Sequence, residues 1–153
     1  MLAAELARLY PTVTLDTGAL EAARILADGK LPGLIVLDDT GRPYTVLPGS
    51  QVLRFIVPNY VQEDPALARA YDEASADAMC DELSACSVRD VLPKRKDVFD
   101  LPVVDSDATS MEIAAVMAAQ RSPIVAVVDG SSFLGAITVS ALLEHLLAPG
   151  PER

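Results

Sequence analysis

Side chains that commonly carry catalysis or metal binding are few in this sequence, and they lie apart. His145 is the one histidine among 153 residues, and Cys80 and Cys86 do not have the CxxC spacing of zinc and redox sites. General acid–base or nucleophilic catalysis needs a base beside a nucleophile, and phosphate chemistry often uses a GxxxxGK loop, which the sequence lacks. We therefore expect no enzyme, no metal site and two reduced thiols.

The densest basic cluster, Lys94-Arg95-Lys96, lies in a chain with a net charge of −10 and a pI near 4.4. Its cations could pair with ligand phosphates or with an acidic partner, or the cluster could be a solvated loop. The acidic balance argues against a nucleic-acid partner and against an anionic membrane surface. No segment has the roughly 20 apolar residues that insert across a bilayer, and Met1–Tyr10 lacks a basic leader, so we expect a cytoplasmic protein.

The hydrophobic pattern indicates the elements that hold these residues, and it occurs twice. Five unbroken aliphatic residues, Ile124–Val128, stand between Pro123 and an Asp-Gly turn signal, which is typical of a strand buried on both faces. The stretch Pro32–Asp38 has the same pattern 91 positions earlier. Within one helix-strand unit seven residues are identical at this offset, namely Asp16, Glu21, Ala23, Ala27, Pro32, Val36 and Asp38 with Asp107, Glu112, Ala114, Ala118, Pro123, Val127 and Asp129. We infer an internal duplication.

Capping residues predict where the helices of the two repeats begin and end. Ser50 is placed to cap a helix over 51–57, and Thr138 is placed to cap a helix over 139–147. Thr109 and Glu112 form a capping box, so Glu112 is interpreted as a helix-end residue rather than a catalytic acid. The first long helix is expected to end near residue 29, a glycine of the C′ type.

A long bridging helix is expected between the repeats. Asp64-Pro65 has the N-cap and N1 residue types, and an apolar face continues to Leu83 opposite a solvated acidic face. The predicted organisation is an N-terminal helix with the first repeat over 1–62, the bridging helix over 63–86, the second repeat over 87–148 and a loose tail over 149–153.

The element order and several short motifs make the chain resemble a tandem pair of CBS (cystathionine-β-synthase) domains, also called a Bateman module. The motifs are Glu21-Ala22-Ala23, Pro32–Asp38 and Asp39-Thr40-Gly41 in the first repeat, and Val88–Pro93 and Gly135–Leu143 in the second. The resemblance implies a mixed α/β (α+β) fold of two β-α-β-β-α repeats that pack through their sheets with pseudo-two-fold symmetry. It also implies a flat homodimer, and the 51% hydrophobic content agrees with a subunit interface.

Proteins of this kind often bind AMP, ADP, ATP or S-adenosylmethionine in clefts between the repeats. The family's ligand motif ends in glycine, two apolar residues, Thr or Ser, two variable residues and Asp. In the second repeat Thr138 keeps the hydroxyl and Ala141 replaces the Asp, whereas in the first repeat Leu47 replaces the Thr and Ser50 the Asp. A lost carboxylate-to-ribose hydrogen bond costs roughly ten- to a hundredfold in affinity.

The resemblance also gives the residues expected at the ligand. Backbone groups at the starts of strands read the adenine, a hydroxyl helps to hold phosphate at a helix N-terminus, and the basic loop pairs with phosphates. The candidate site residues are Thr14, Gly33, Leu34, Ser50, Lys94, Arg95, Val104, Ile124 and Thr138. The strand residues among them could equally be plain core.

Two functional hypotheses stay open at this point. In the first, the chain is a regulatory, energy-sensing module that binds an adenine-containing ligand and modulates a partner. In the second, it is a ligand-free homodimeric interaction module that regulates a transporter or an enzyme by docking. Thr138 and the basic loop favour the first hypothesis, and the surplus of apolar residues favours the second.

Overall fold

The computed structural model describes residues 1–94 and 97–148. The first part of the chain contains α1 (Ala3–Leu6), β1 (Thr12–Thr14), α2 (Ala19–Gly29), β2 (Gly33–Leu37), β3 (Pro43–Pro48), α3 (Gly49–Ile56), α4 (Asn59–Glu63), a 3-10 helix (Pro65–Ala70), α5 (Glu73–Asp81) and a second 3-10 helix (Glu82–Ala85). The second part contains α6 (Val88–Val91), β4 (Val103–Asp105), α7 (Ser110–Gln120), β5 (Ile124–Asp129), β6 (Ser132–Thr138) and α8 (Val139–Leu147). The predicted tail over 149–153 lies outside the described residues.

The described chain divides into two compact units, and each repeat builds one three-stranded sheet. The first-repeat unit comprises Pro11–Val36 and Val46–Phe99, and the second-repeat unit comprises Met1–Tyr10, Leu37–Thr45 and the described residues from Asp100 onward. The strand orders are β1-β2-β3 and β4-β5-β6. The mixed α/β fold of two repeats is therefore confirmed.

The aliphatic run that the sequence marked as a buried strand is the central strand of the second sheet. β5 pairs in parallel with β4 and antiparallel with β6, and each residue of Ile124–Val127 exposes at most 1% of its surface. A bulge between Val127 and Val128 interrupts the register with β6. Burial of four aliphatic side chains on both faces makes this strand the centre of the unit's core.

The N-terminal segment packs within the second-repeat unit. The backbone N–H of Ala3 donates to the Ala108 carbonyl at 2.8 Å, and the N–H of Ala4 donates to the Ser106 carbonyl at 3.0 Å. Ala3 is fully buried and belongs to the same apolar core as β5. The expected boundaries grouped this segment with the first repeat, over 1–62, and the structure instead groups it with the second.

The short helix α6 makes backbone hydrogen bonds within the first-repeat unit that are equivalent to those of α1 in the second. The N–H of Val88 donates to the Thr17 carbonyl at 2.8 Å, and the N–H of Arg89 donates to the Leu15 carbonyl at 3.0 Å. An exposed ion pair of 3.2 Å between Arg89 and Asp16 lies beside these bonds. Each repeat is therefore completed by a short helix that precedes the other repeat in sequence.

The segment expected as one bridging helix over 63–86 is instead a series of short helices. Asp64 accepts a hydrogen bond from the N–H of Ala66 at 3.3 Å, and Asp72 accepts one from the N–H of Ser75 at 2.8 Å, so each aspartate caps a new helix. Between them Tyr71 is extended, with ψ of 131°. No residue of the 3-10 helix Pro65–Ala70 or of α5 is buried. Because no core holds an apolar face in place, the local caps decide the conformation.

The two long helices end in left-handed residues that are not glycine. Lys30 follows α2 with φ of 51°, and Arg121 follows α7 with the same φ. The glycine expected to end the first helix, Gly29, is instead its last helical residue. The N–H groups of Lys30 and Leu31 return to carbonyls of the last turn at 3.3 and 3.2 Å, which satisfies the helix end.

Candidate functional site

Thr138 lies at the junction of β6 and α8 in the second-repeat unit. Its Oγ1 accepts a hydrogen bond from the N–H of Ala141 at 3.2 Å, which confirms the predicted helix cap. Its register partner on β5 is Ile124, and the N–H of Val139 donates to the Pro123 carbonyl at 3.0 Å. Two predicted site residues thus lie side by side, and the threonine hydroxyl still has its own proton to donate.

Two other candidate positions of this repeat, Val104 and Ala141, offer less to a ligand. Val104 is the middle residue of the edge strand β4, where it pairs with Val127, and its side chain is in the core with 8% exposure. Ala141, the third residue of α8, presents a half-buried methyl group where the motif has a carboxylate. The second repeat therefore keeps the hydroxyl and one strand start but has no acceptor for ribose hydroxyls at residue 141.

In the first repeat the motif positions are shifted by one residue from those expected. Leu47 is buried inside β3, Pro48 is the N-cap of α3, and Gln51 is its third residue. Ser50, which the sequence predicted as the cap, is exposed at the second helical position. The segment from Asp38 to the end of β3 is one residue longer than its counterpart in the second repeat, so the fixed offset fails after the turn.

Gln51 is a buried polar residue that the motif comparison missed. Its side chain is 9% exposed, and its Nε2 donates to the Val91 carbonyl at 2.9 Å. The amide therefore ties α3 to α6 at the position where the family motif has Asp. A signal was present in the sequence, because Gln51 lies in the first turn of a helix whose other buried residue, Val52, is apolar.

The remaining predicted residues of the first repeat have structural explanations. Thr14 donates its N–H to Thr17 Oγ1 at 2.9 Å in a turn that leads into α2. A Cβ on Gly33 would lie 2.8 Å from Val46 Cγ2 and 3.1 Å from the Leu47 carbonyl oxygen, so the approach of β3 requires glycine there. Leu34 is fully buried in the core.

A cavity of about 830 Å³ lies in the first-repeat unit, between α3 and the segment that follows α6. This α3 pocket, as it is called below, lies within the range of about 300–1,000 Å³ typical of small-molecule sites. The side chains that matter for recognition are Gln51, Arg54, Phe55, Lys94, Asp97 and Phe99. Lys94 is thus a predicted site residue that lines this pocket. Arg95, which was predicted with it, lies outside the described residues.

Charged side chains of both signs line the described part of the α3 pocket. Arg54 and Lys94 contribute cations, and Asp90 and Asp97 contribute carboxylates. Oδ2 of Asp90 accepts hydrogen bonds from the N–H and the hydroxyl of Ser87 at 2.9 and 3.2 Å, which fixes that carboxylate at the start of α6. Phe55 and Phe99 add aromatic surface, so the pocket combines apolar faces with groups of both charges.

A second cavity, of about 700 Å³, is an apolar groove between α7 and α8 in the second-repeat unit. Small residues line the α7 side, including Ala114 and Ala118, and larger ones line the α8 side, including Leu143 and Leu146. Arg121 lies at one end of the groove. Leu143 and Leu146 remain 47% and 40% exposed, so this groove is an uncovered apolar surface.

Shifted acidities occur in turns and caps away from these cavities. The Thr40 hydroxyl and the Arg42 N–H, which donate to Asp38 Oδ1 at 2.6 and 3.1 Å, lower the pKa of the Asp38 carboxyl. The N–H of Ser75 lowers the pKa of Asp72 in the same way. Within residues 1–94 and 97–148, no cluster of three or more His, Cys, Asp or Glu side chains has a metal-binding arrangement. In the same ranges no helix combines the length and the apolar character that membrane crossing demands.

Comparison with solved structures identifies strong similarity over nearly the whole chain. A CBS domain-containing protein of unknown function from Kribbella flavida DSM 17836 is 49% identical, with a TM-score of 0.89, over 97% of this chain and 99% of the other. The CBS domain of a CBS domain-containing membrane protein from Sphaerobacter thermophilus is 18% identical, with a TM-score of 0.71, over 97% and 90%. No protein-family model matches the sequence, and the search of curated proteins finds no significant match.

A third structure carries a nucleotide. CBSX2 in complex with AMP is 16% identical to this chain, with a TM-score of 0.65, and the match covers 95% of this chain and 96% of that one. At this level of identity the similarity shows a shared fold. The AMP belongs to CBSX2.

Proposed function

Since the chain belongs to the family of CBS domain-containing proteins, we propose that it is a regulatory module that binds an adenine-containing ligand and modulates a partner. The observation that carries this proposal is the α3 pocket, because it joins the predicted Lys94 to a second cation, Arg54, and to aromatic surface in one cavity. CBSX2, which shares the fold, has been solved with AMP. A cytoplasmic location stays a prediction from the sequence.

The lining of the α3 pocket suits the parts of an adenosine derivative. Phe55 and Phe99 offer faces or edges on which a purine can stack. Arg54 and Lys94 can pair with an anionic group, in hydrogen bonds that are stronger for being charge-assisted. The Gln51 amide has a carbonyl oxygen that can accept from a ribose hydroxyl while its Nε2 stays bonded to Val91.

Thr138 with Ile124 forms a second proposed binding position, in the second-repeat unit. The hydroxyl lies at the start of α8, where a helix N-terminus favours an anion. Neither repeat has the motif's carboxylate, since Gln51 and Ala141 occupy those positions. We therefore expect weaker ribose recognition than in relatives that keep the Asp, by roughly ten- to a hundredfold.

The test is a thermal-shift series with AMP, ADP, ATP and S-adenosylmethionine at millimolar concentration. A ligand at 100 times its dissociation constant adds about 2.7 kcal/mol to the free energy of unfolding, which is several degrees for a chain of this size. Lys94→Gln should reduce the shift, and Lys30→Gln, which makes the same charge change away from the pocket, should preserve it. No shift with any of the four compounds would refute ligand binding.

The apolar groove between α7 and α8 favours a second role, namely docking of another copy of this chain. The groove is self-complementary, because the leucines of α8 in one copy can fill the hollow above the alanines of α7 in the other. The two ends of α7 carry opposite charges, because Glu112 lies in its first turn and Arg121 follows its last turn. An antiparallel arrangement would bring the arginine end of one copy towards the glutamate end of the other. We propose a homodimer through this groove as the scaffold on which a partner is regulated.

Sedimentation equilibrium of the full chain tests the dimer. The wild-type chain should sediment with twice the monomer mass of 16.2 kDa. Leu143→Glu places a charge in the groove and should give a monomer with an unchanged far-UV spectrum, because Leu143 is already 47% exposed in one chain. Leu53→Glu on α3, where Leu53 is 59% exposed outside the groove, is the matched control and should remain dimeric. A dimer in both variants would refute this interface.

A further inference from the structure

The apolar groove between α7 and α8 combines a hydrocarbon surface with a cation at one end. We infer, resting on the homodimer proposed above, that a medium-chain fatty-acid anion occupies this groove in place of the second copy. The ligand class is a linear hydrocarbon chain that ends in a carboxylate, and adenine plays no part in its recognition. The inference gives the proposed dimer a ligand that dissociates it.

The groove offers apolar surface to a hydrocarbon chain along its floor and on both sides. Met117 and Leu142 form the floor, since both belong to the core of the second-repeat unit and expose only 4% and 5% of their surface. The hollow exists because α7 presents small side chains to it, such as that of Ala118. Leu143 and Leu146 on the α8 side are partly exposed and would bury apolar surface against a bound chain.

The polar groups of the groove place one available charge at its end. The hydroxyl of Ser122 donates to the Ile124 carbonyl at 2.6 Å and accepts the Ile124 N–H at 3.3 Å, so it is already engaged. Arg121 is the one charged side chain among the described residues of the lining, and within residues 1–94 and 97–148 no carboxylate forms an ion pair with it. A guanidinium can hold a carboxylate through two parallel hydrogen bonds. A ligand that satisfies both features has an apolar body and an anion at one end.

The second copy of the chain would satisfy the same two features. In the proposed antiparallel dimer, Arg121 of one copy lies towards Glu112 of the other, and the leucines of α8 fill the hollow. A fatty-acid anion brings a carboxylate and an apolar chain in one small molecule. Because the two occupants need the same hollow, a ligand that binds the open groove shifts the equilibrium towards the monomer.

The experiment is calorimetric titration of the full chain with octanoate, decanoate and laurate below their micelle-forming concentrations, with decanol as the uncharged control. Each added pair of methylenes should tighten binding by roughly tenfold. Decanoate should bind at least about tenfold more tightly than decanol, since hydrogen bonds to a charged group are the stronger ones. An affinity that ignores chain length, or equal affinities for decanoate and decanol, would overturn the inference.

Two pairs of variants locate the ligand. Arg121→Gln should weaken decanoate about tenfold and leave decanol unchanged, whereas Lys30→Gln makes the same charge change at the left-handed position after α2, where φ is also 51°, and should affect neither. Ala118→Leu fills the hollow from an exposed position and should weaken both compounds roughly tenfold. Ala115→Leu, on the same helix but outside the groove lining, is its control. Equal behaviour within either pair would refute this placement of the ligand.

Sedimentation equilibrium with saturating decanoate separates this inference from the dimer proposal. The wild-type chain should sediment at the monomer mass of 16.2 kDa with decanoate and at twice that mass without it. A dimer that persists with decanoate bound would overturn the inference and leave the dimer proposal standing. A monomer without ligand would refute the dimer proposal, and the titrations above would then decide the fatty-acid site by themselves.

Discussion

Removing the hydroxyl of Thr138 should destabilise the chain even without a ligand. Oγ1 accepts the N–H of Ala141 at 3.2 Å, and α8 buries a single residue, Leu142, so the cap is a large part of what fixes this helix. Loss of a threonine cap costs about 1 kcal/mol, within a range of about 0.5–2 kcal/mol. In a chain of this size Thr138→Ala should lower the melting temperature by about 2–4 °C for each kcal/mol lost.

Two matched variants make the measurement specific. Thr138→Ser keeps an oxygen that can accept from Ala141 and should retain most of the free energy of unfolding. Thr109→Ala removes the equivalent cap of α7, where Oγ1 accepts the N–H of Glu112 at 3.2 Å, and should cost a similar amount. Thermal and urea unfolding of the three variants without ligand would test this. If Thr138→Ala were as stable as the wild type, the cap bond would contribute nothing and the reasoning would fail.

The same variants test whether Thr138 also touches a ligand. Both alanine variants lose a cap, but only Thr138→Ala loses the hydroxyl at the proposed second position. The ligand-induced shift in melting temperature should therefore shrink in Thr138→Ala and persist in Thr109→Ala. Equal shifts in both variants, or equal losses in both, would remove Thr138 from the ligand contacts and leave it as a helix cap.

Three further predictions concern the backbone and one acidic turn. Lys30→Gly should raise the free energy of unfolding by about 0.5–1 kcal/mol, since φ is 51° there, whereas Lys30→Ala, with the same charge change, should bring no gain in chemical unfolding. Gly135→Ala should cost about 1–3 kcal/mol, because a Cβ would lie 2.5 Å from the Arg8 carbonyl oxygen, while Gly49→Ala, with open space, should be tolerated in the same assay. Asp38 has a lowered pKa, so the stabilisation from its carboxylate is complete above about pH 3.9, the ordinary value, and is lost as the pH falls through the folded pKa. Asp38→Asn should therefore flatten the loss of stability between about pH 5 and 2 in acid titrations.

Local and repeated signals in the sequence were sufficient for the sheets and several caps. The aliphatic run at Ile124–Val127 became the buried central strand, and Thr138 caps α8 as predicted. Of the capping box predicted for Thr109 and Glu112, the bond from the Glu112 N–H to the Thr109 hydroxyl is formed, and the Glu112 carboxylate accepts from that hydroxyl. These features depend on near neighbours or on burial on both faces, so composition and spacing carry them. The family resemblance, which used the same segments, is confirmed by the relative of 49% identity.

Features that depend on loop length or on missing contacts were not predictable in this way. One extra residue in the first-repeat turn moved the motif positions from Leu47 and Ser50 to Pro48 and Gln51, and a fixed offset cannot register an insertion. The linker had the apolar periodicity of a long helix, but Leu67 is 44% exposed. An apolar periodicity stabilises a long helix only when its apolar face packs against a core. No residue of the two short helices that follow Asp64 and Asp72 is buried, so the caps at these aspartates divide the segment.

The short helix that precedes each repeat in sequence packs against the other repeat, and the sequence pattern did not predict this exchange. The helices Ala3–Leu6 and Val88–Val91 share no identical residue at matching positions, yet both bury their first and last residues. Both also carry an acid that accepts the N–H of the residue before the helix, Glu5 at 3.0 Å and Asp90 at 2.9 Å. The conserved element is thus a pattern of burial and capping, and its partner lies roughly a hundred residues away for α1 and about seventy for α6.

This exchange also explains the glycine in β6. Arg8 and Ala136 exchange backbone hydrogen bonds of 3.0 Å in both directions, so the N-terminal segment covers the outer edge of the second sheet. That approach leaves no room for a Cβ at Gly135, where φ is 155°. An edge strand without such cover offers unpaired N–H and C=O groups to other chains. The first ten residues therefore act as part of the second repeat, and a boundary drawn by sequence order alone would leave both its core and its edge incomplete.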